Sequence, residues 1–276
     1  MRRRSPAARA GRTLAVVAVA AFALFPLYWM LTTAFGAGPG DAGVSGLVPT
    51  DPTLENFRFV LDEGGFGTYL KNSLLVAAAT VLASGLLALF AAVAVARFRF
   101  RFRTSVLVMV LIVQMVPLEA LVIPLFLQVR RLELLDTLLG LTIVYVAFSL
   151  PFAIWMLRGF VAAVPVELEE AAYVDGASWL RMFRSVLFPL VAPGLVATSV
   201  FSFITAWNEF IFALTFINDD AKYTVAVGLR QFFGQYGTDW GAVMAGSTLI
   251  TLPVVVFFVL VQRHLADGLV AGAVKG

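Results

Sequence analysis

The chain has 276 residues, of which 61% are hydrophobic and only 13% charged, and its formal net charge is +3. Soluble globular domains carry roughly 25% charged residues, so this composition excludes one and places the chain in a lipid bilayer. No cysteine is present, which excludes disulfides, thiol catalysis and thiolate metal sites.

A helical span needs roughly 20 apolar residues to cross the hydrocarbon layer. Six segments meet that requirement, at Thr13–Ala34, Asn72–Ala96, Thr104–Val129, Thr137–Leu157, Ser185–Ala213 and Trp240–Gln262. The expected fold is therefore an all-α integral membrane protein with six transmembrane helices and both termini on one side. The first span follows an Arg-rich start, as a secretory signal would. Its length of about 22 residues exceeds the 7–15 of a signal core, and no A-x-A site follows it, so it is expected to remain as a helix.

The segment from Phe35 to Lys71 is the longest between spans, and it turns amphipathic at Leu54–Leu61, where a short surface helix is expected. Glu119 interrupts the third span and Glu209 the fifth. At about 1.5 Å per residue they would lie roughly 22 Å along from Thr104 and roughly 30 Å along from Pro189. Ionisable groups at such depth are costly and face a watery cavity or the protein interior. Two readings stay open for Gln114, Glu119, Trp207, Asn208 and Glu209. They line a translocation path for a hydroxylated solute, or they pair with neighbouring helices and headgroups. Tyr28, Trp29 and Trp240 suit an interfacial belt, and Phe98, Phe100 and Phe102 alternate with arginines as an interface does. Pro117, Pro124, Pro151 and Pro193 are expected to kink their spans.

Between the fourth and fifth spans, residues 158–189 form a polar interruption. Pro165 suits a first helical turn, and Glu167, Glu169 and Glu170 place negative charge at the positive end of that helix. Ala171 and Ala172 leave a smooth patch for close approach of another backbone, and Asp175-Gly176 supplies a turn that stops the helix. Pro189 is expected to start the fifth span at a fixed angle. Fourteen of the twenty basic residues fall on the side of this loop: Arg2, Arg3, Arg4, Arg9 and Arg12 at the start, Arg97, Arg99, Arg101 and Arg103 after the second span, Arg158, Arg181 and Arg184 in the loop itself, and Arg263 and Lys275 in the tail. That side is expected to be the cytoplasm, and the net charge calls for no nucleic-acid partner.

No phosphate-cradling loop is present, because that motif needs Gly before Lys and the three lysines follow Leu70, Ala221 and Val274. His264 is the only histidine, which rules out an H-E-x-x-H metalloenzyme and leaves no metal site to assign. No catalytic residue is expected.

The string E-A-A-Y-V-D-G, nine residues, then V-L-F-P resembles the EAA loop of ABC-importer membrane subunits, matching it at Glu170, Ala171, Ala172, Gly176, Val186 and Pro189. Val186 and Phe188 stand where isoleucine and leucine are usual. The strings P-T-L-E-N-F from Pro52, P-L-E-A-L-V-I-P-L-F from Pro117, S-L-P-F-A-I-W-M-L-R-G-F from Ser149, W-N-E-F from Trp207 and G-L-V-A-G-A-V-K-G from Gly268 resemble permeases of carbohydrate-uptake ABC importers of the maltose-transporter type. Their order is similar to that of the second, six-span permease of the pair, with Val270 replacing the usual threonine.

The resemblance implies a type I importer permease fold with a cytoplasmic coupling helix, in the bacterial cytoplasmic membrane. It implies partners: a second permease, two ATPase subunits that use ATP and Mg, and an extracytoplasmic sugar-binding protein. Glu170, Ala171, Ala172, Asp175, Gly176 and Pro189 would form the coupling element, and the C-terminal tail either frays or reaches the ATPase interface. This chain binds no cofactor in that reading. The alternatives are a permease for a non-sugar solute, a secondary transporter, which would need midplane coupling carboxylates and internal repeats, and a membrane-embedded enzyme.

Overall fold

The computed structural model describes residues 6–36, 52–234 and 237–273, with side chains described from 11 to 262 within these ranges. The N-terminal arginines Arg2, Arg3, Arg4 and Arg9, the first part of the 35–71 segment and the tail side chains, Arg263, His264 and Lys275 included, lie outside the described side chains.

In chain order the helices are α1 (Pro6–Ala34), α2 (Glu55–Asp62), α3 (Phe66–Arg97), α4 (Arg103–Val113), α5 (Val122–Arg131), α6 (Leu138–Ala163), α7 (Val166–Val174), α8 (Trp179–Met182), α9 (Phe188–Asn208), α10 (Ile211–Phe216), α11 (Val225–Gly228) and α12 (Trp240–Ala273). Among the described residues, five helical runs are long and apolar enough to cross a bilayer: Gly11–Ala34, Phe66–Arg97, Leu138–Ala163, Trp179–Asn208 and Trp240–Gln262. A sixth crossing exists only if α4 and the run Leu118–Arg131, bent by 97° from each other, count together.

That bend corrects the expectation of a continuous third span over Thr104–Val129. Proline has no N–H to donate and disfavours helical backbone in the residue before it, so the helix ends at Val113, ahead of Pro117. A 3₁₀ turn, Leu118–Leu121, then restarts the chain in a new direction. The 22 Å depth reckoned for Glu119 along a straight helix therefore does not apply. By contrast Pro26, Pro151, Pro193 and Pro253 sit inside helices that continue through them.

The fifth span is also displaced. Helix runs from Trp179 through a π-helical turn at Phe183–Leu187 into α9, so Pro189 lies inside a helix already under way instead of opening it. The run ends at Asn208, and Glu209 is extended, so the expected continuation to Ala213 is replaced by a break followed by α10. The depth of roughly 30 Å given to Glu209 survives for the α9 portion only. The last helix continues to Ala273.

The chain forms two compact units. The first comprises residues up to Gly67 together with Leu229–Leu252. In it the Asn56 side-chain amide donates to the Ala34 carbonyl at 3.1 Å, Gln231 donates to the Gly64 carbonyl at 2.7 Å, and Phe66 and Phe59 meet Phe232 with ring centroids 6.1 Å apart. A two-residue hairpin pairs Phe233 with Thr238, and the Asp239 carboxylate accepts from the Ala242 N–H at 2.9 Å in the first turn of α12.

The second unit comprises Thr68–Gly228 and the chain from Pro253 onward. Its centre is the pairing of α6 with α9. Close approach depends on Gly194, where a Cβ would come within 2.3 Å of the Phe160 ring, and Phe152 meets Phe201 at 3.9 Å. Helix α3 crosses this pair and touches both ends of the unit. Asn72 near its start donates to the carbonyls of Ala221 (2.9 Å) and Tyr223 (3.0 Å), and Ser84 donates to Ser202 at 3.3 Å. Arg97 at its far end, roughly 37 Å from Asn72 at 1.5 Å per residue, reaches α7.

Candidate functional site

The arm between α6 and α9 is built around a helix that starts and stops by local chemistry. Pro165 precedes the first helical residue, and Glu167 and Glu169 occupy the first turn. At the other end Gly176 takes φ +78°, a left-handed conformation that costs a side chain strain. The Ala177 N–H then reaches back to the Ala172 carbonyl (2.9 Å) and the Gly176 N–H to the Tyr173 carbonyl (3.0 Å). Those two bonds satisfy carbonyls that the end of α7 would leave unpaired. Ser178 opens α8 by accepting from the Arg181 N–H, so the chain turns between two short helices at Gly176.

The faces of this arm divide cleanly. Glu170, Ala171, Asp175 and Gly176 are exposed. Val174 is 88% exposed. Ala172 and Ala177 instead pack against the unit's own core of Leu89, Val93, Leu157, Val161, Met182 and Leu187. The expectation that Ala171 and Ala172 together form an outward patch is thus corrected for Ala172, which seats α7 on its own bundle. Trp179 stacks on Phe183 at 5.5 Å, and Phe183 stacks on Phe90 of α3 at 5.8 Å, fastening α8 and the π turn from the same side.

One polar link completes the seating. The Arg97 guanidinium donates to the Glu169 carboxylate at 2.6 Å and to the Val164 carbonyl at 2.8 Å, with side-chain exposures of 13% and 9% for the pair. Sequence reasoning placed Arg97 among the topological arginines and Glu169 among dipole charges, and it missed their pairing. The available signal was Arg97's place as the last residue of an uncharged apolar run.

At the opposite end of α3, the second candidate group separates into parts. Gln114 and Glu119 flank the 97° bend, and both are exposed. Trp207 is buried and stacks on Phe203 at 5.4 Å, whereas Asn208 is exposed and donates to the Ile204 carbonyl at 3.1 Å. Glu209 has structural work to do. Its carboxylate accepts from the N–H groups of Phe212 (2.9 Å) and Ala213 (3.1 Å) and from the buried Tyr145 hydroxyl, so it caps α10 where the span breaks.

A further cluster lies on the loops of this end, unforeseen from sequence. One Asp136 oxygen accepts from the N–H groups of Asn218 and Asp219, each at 3.0 Å, and the other meets Lys222 at 3.2 Å, while Lys222 also meets Asp219 at 3.1 Å. The backbone N–H of Asp219, that of Asn218 and then Lys222 hold the Asp136 carboxyl below the usual carboxylate range. Hydrogen bonds to Asp219 and then Asp136 hold the Lys222 ammonium above its ordinary value.

The second unit thus carries an anchored, outward-facing arm between two long apolar helices, the fold of a multi-pass membrane protein. Residues 84–270 match the family model described as binding-protein-dependent transport system inner membrane component. The chain is 42% identical over 255 residues to the diacetylchitobiose uptake system permease protein DasC of Streptomyces coelicolor, covering 92% of each chain. It is 38% identical over 266 residues to the trehalose/maltose transport system permease protein MalG of Thermococcus litoralis, covering 95% of each. Its fold superimposes with a TM-score of 0.80 on a chain from the crystal structure of a bacterial ABC transporter involved in import of the acidic polysaccharide alginate, at 24% identity, over 95% of this chain and 99% of that one. The chain belongs to the family of binding-protein-dependent transport system inner membrane components. It is an ABC-importer permease, a transport subunit and not an enzyme, and it is a multi-pass membrane protein.

Proposed function

We propose that this chain is one permease of a heterodimeric pair that carries a di- or oligosaccharide from an extracytoplasmic binding protein into the cytoplasm. Two separate ATPase subunits, using ATP and Mg, drive it through the Glu170–Gly176 helix. The observation that carries the coupling assignment is the two-sided arm: Glu170, Ala171, Val174 and Asp175 face outward while Ala172, Ala177 and Glu169 hold α7 to the bundle. Glu170 would meet a basic residue of the ATPase, and Val174 would enter an apolar pocket there. A rigid-body displacement of α7 would then reach the spans that form the path.

The sugar class rests on relatives named for diacetylchitobiose and for trehalose and maltose. Gln114, Glu119 and Asn208, exposed beside the two breaks, are assigned to the solute path, with Trp207 and Glu209 supporting it from behind. The count of arginines supports a cytoplasmic position for both termini, Arg97 and α7.

The test is affinity purification of the chain expressed with its genomic neighbours. A stoichiometric ATPase should copurify with the native chain and be lost with Glu170→Arg; failure of any ATPase to copurify would sink the coupling assignment. Uptake of radiolabelled diacetylchitobiose, trehalose and maltose by cells with and without the gene tests the sugar class, and gene-independent uptake of all three, alongside a non-sugar that does depend on it, would overturn that part.

A further inference from the structure

Force delivered to α7 reaches the spans only if α7 cannot slide on its own bundle. Its apolar seating through Ala172 and Ala177 is non-directional, and small side chains resist sliding weakly. The chain connections at its two ends are the pair Val164-Pro165 and the turn at Gly176. Among the described residues, the only side-chain hydrogen bond from α7 to another element is that of Glu169 with Arg97. Charge-assisted hydrogen bonds are short and directional, so they fix position in a way that apolar contact does not. The same guanidinium holds the Val164 carbonyl at the end of α6, and Arg97 is itself the last residue of the 32-residue α3. Three elements therefore meet at one side chain. Both partners are nearly buried, so neither charge is at home without the other.

We propose that the Arg97–Glu169 pair is the joint that makes α7 move as one piece with α3 and the end of α6, so that Arg97 and Glu169 are positioning residues for energy coupling. This rests on the coupling role proposed above. Without the joint, ATPase subunits still dock through the outward face, but part of their motion is absorbed by α7 shifting on its seat.

The native chain lacks cysteine, so labels can be placed singly. Spin labels at Leu168→Cys and Phe98→Cys, both exposed and neither assigned to the docking face, report the distance between α7 and the chain just after α3 in the assembled importer. In the native background the distance distribution should be narrow and unchanged on adding ATP and vanadate. In Arg97→Gln and in Glu169→Gln it should broaden and shift with nucleotide, while the ATPase still copurifies. In proteoliposomes, ATP hydrolysed per sugar moved should rise several-fold in both, using whichever of diacetylchitobiose, trehalose or maltose the native importer carries. The double exchange Arg97→Glu with Glu169→Arg should restore much of the ratio. Loss of packing alone would lower the amount assembled without changing that ratio. If Arg97→Gln does not accumulate, Glu169→Gln, which keeps shape and an acceptor oxygen, decides the matter. Native distances and ratio in that variant overturn the joint, whereas absence of an ATPase on the native chain overturns the coupling role beneath it.

Discussion

The hydroxyl of Tyr145 in α6 donates to the carboxylate of Glu209, the residue at which the helix from Trp179 stops, while the other contacts of that carboxylate are the free N–H groups of α10. A carboxylate just past the end of a long apolar run is thereby supplied with three donors by the chain itself. That is the condition under which such a group can be kept at low cost. Its presence in W-N-E-F is explained by the break it stabilises, whatever further part it has in the solute path.

Glu209→Ala should therefore lower stability by about 1–2 kcal/mol through loss of a cap, and Tyr145→Phe by about 1 kcal/mol through loss of a buried hydrogen bond. Glu209→Gln, which keeps an acceptor, should fall between native and Glu209→Ala. Thermal unfolding in detergent measures all three; equal melting temperatures for Glu209→Ala and the native chain would remove the capping role.

The glycines of the second unit separate into those that are packed against and those that are free. A Cβ at Gly194 would lie 2.3 Å from the Phe160 ring, and one at Gly159 would meet nothing within 4 Å. Gly194→Ala should cost about 1–3 kcal/mol by overpacking the α6–α9 contact. Gly159→Ala should be neutral or slightly stabilising, since alanine is the better helix former. Membrane accumulation and melting temperature of the two variants check the contrast.

Gly176 at φ +78° has open space around it, so its requirement is conformational and not steric. Gly176→Ala should cost about 1–2 kcal/mol of arm stability from the left-handed backbone, and Gly176→Asn should cost less, since asparagine tolerates that region better. ATPase retention at increasing salt should rank native, then Asn, then Ala. Equal retention would show that the turn is not what orients Glu170 and Val174.

The Asp136–Lys222 clasp predicts a defined pH window. Asp136 has its carboxyl lowered in the fold, so the stability it contributes is present above its unfolded value of about 3.9 and is lost as pH falls through the lower folded value. Lys222 is raised, so its contribution is complete below its unfolded value of about 10.4 and is lost as pH rises through the higher folded one. Hydrogen-exchange protection at Asn218 and Asp219, corrected for intrinsic rates, should be flat across neutral pH and fall only below about pH 4. Asp136→Asn should reduce that protection at every pH, and unchanged protection in this variant would dissolve the clasp.

Much of this protein is determined locally. A run such as Asn72–Ala96 has no charge to expose and must be helical in lipid, because every backbone group has to be satisfied within the segment. The same holds for the α7–Gly176 turn, since a Pro-led acidic start and a glycine stop act over a few residues. Even the end of α4 ahead of Pro117 follows from one proline, although the size of the bend does not. What the sequence could not decide is which polar groups meet. Arg97 and Glu169 are separated by 72 residues, Asp136 and Lys222 by 86, and Tyr145 and Glu209 by 64. Whether Ala172 faces a partner or its own core likewise depends on which side of α7 the bundle lies. Side-chain period and caps are properties of one segment, whereas these pairings are set by how separate helices pack, and only the tertiary structure supplies that.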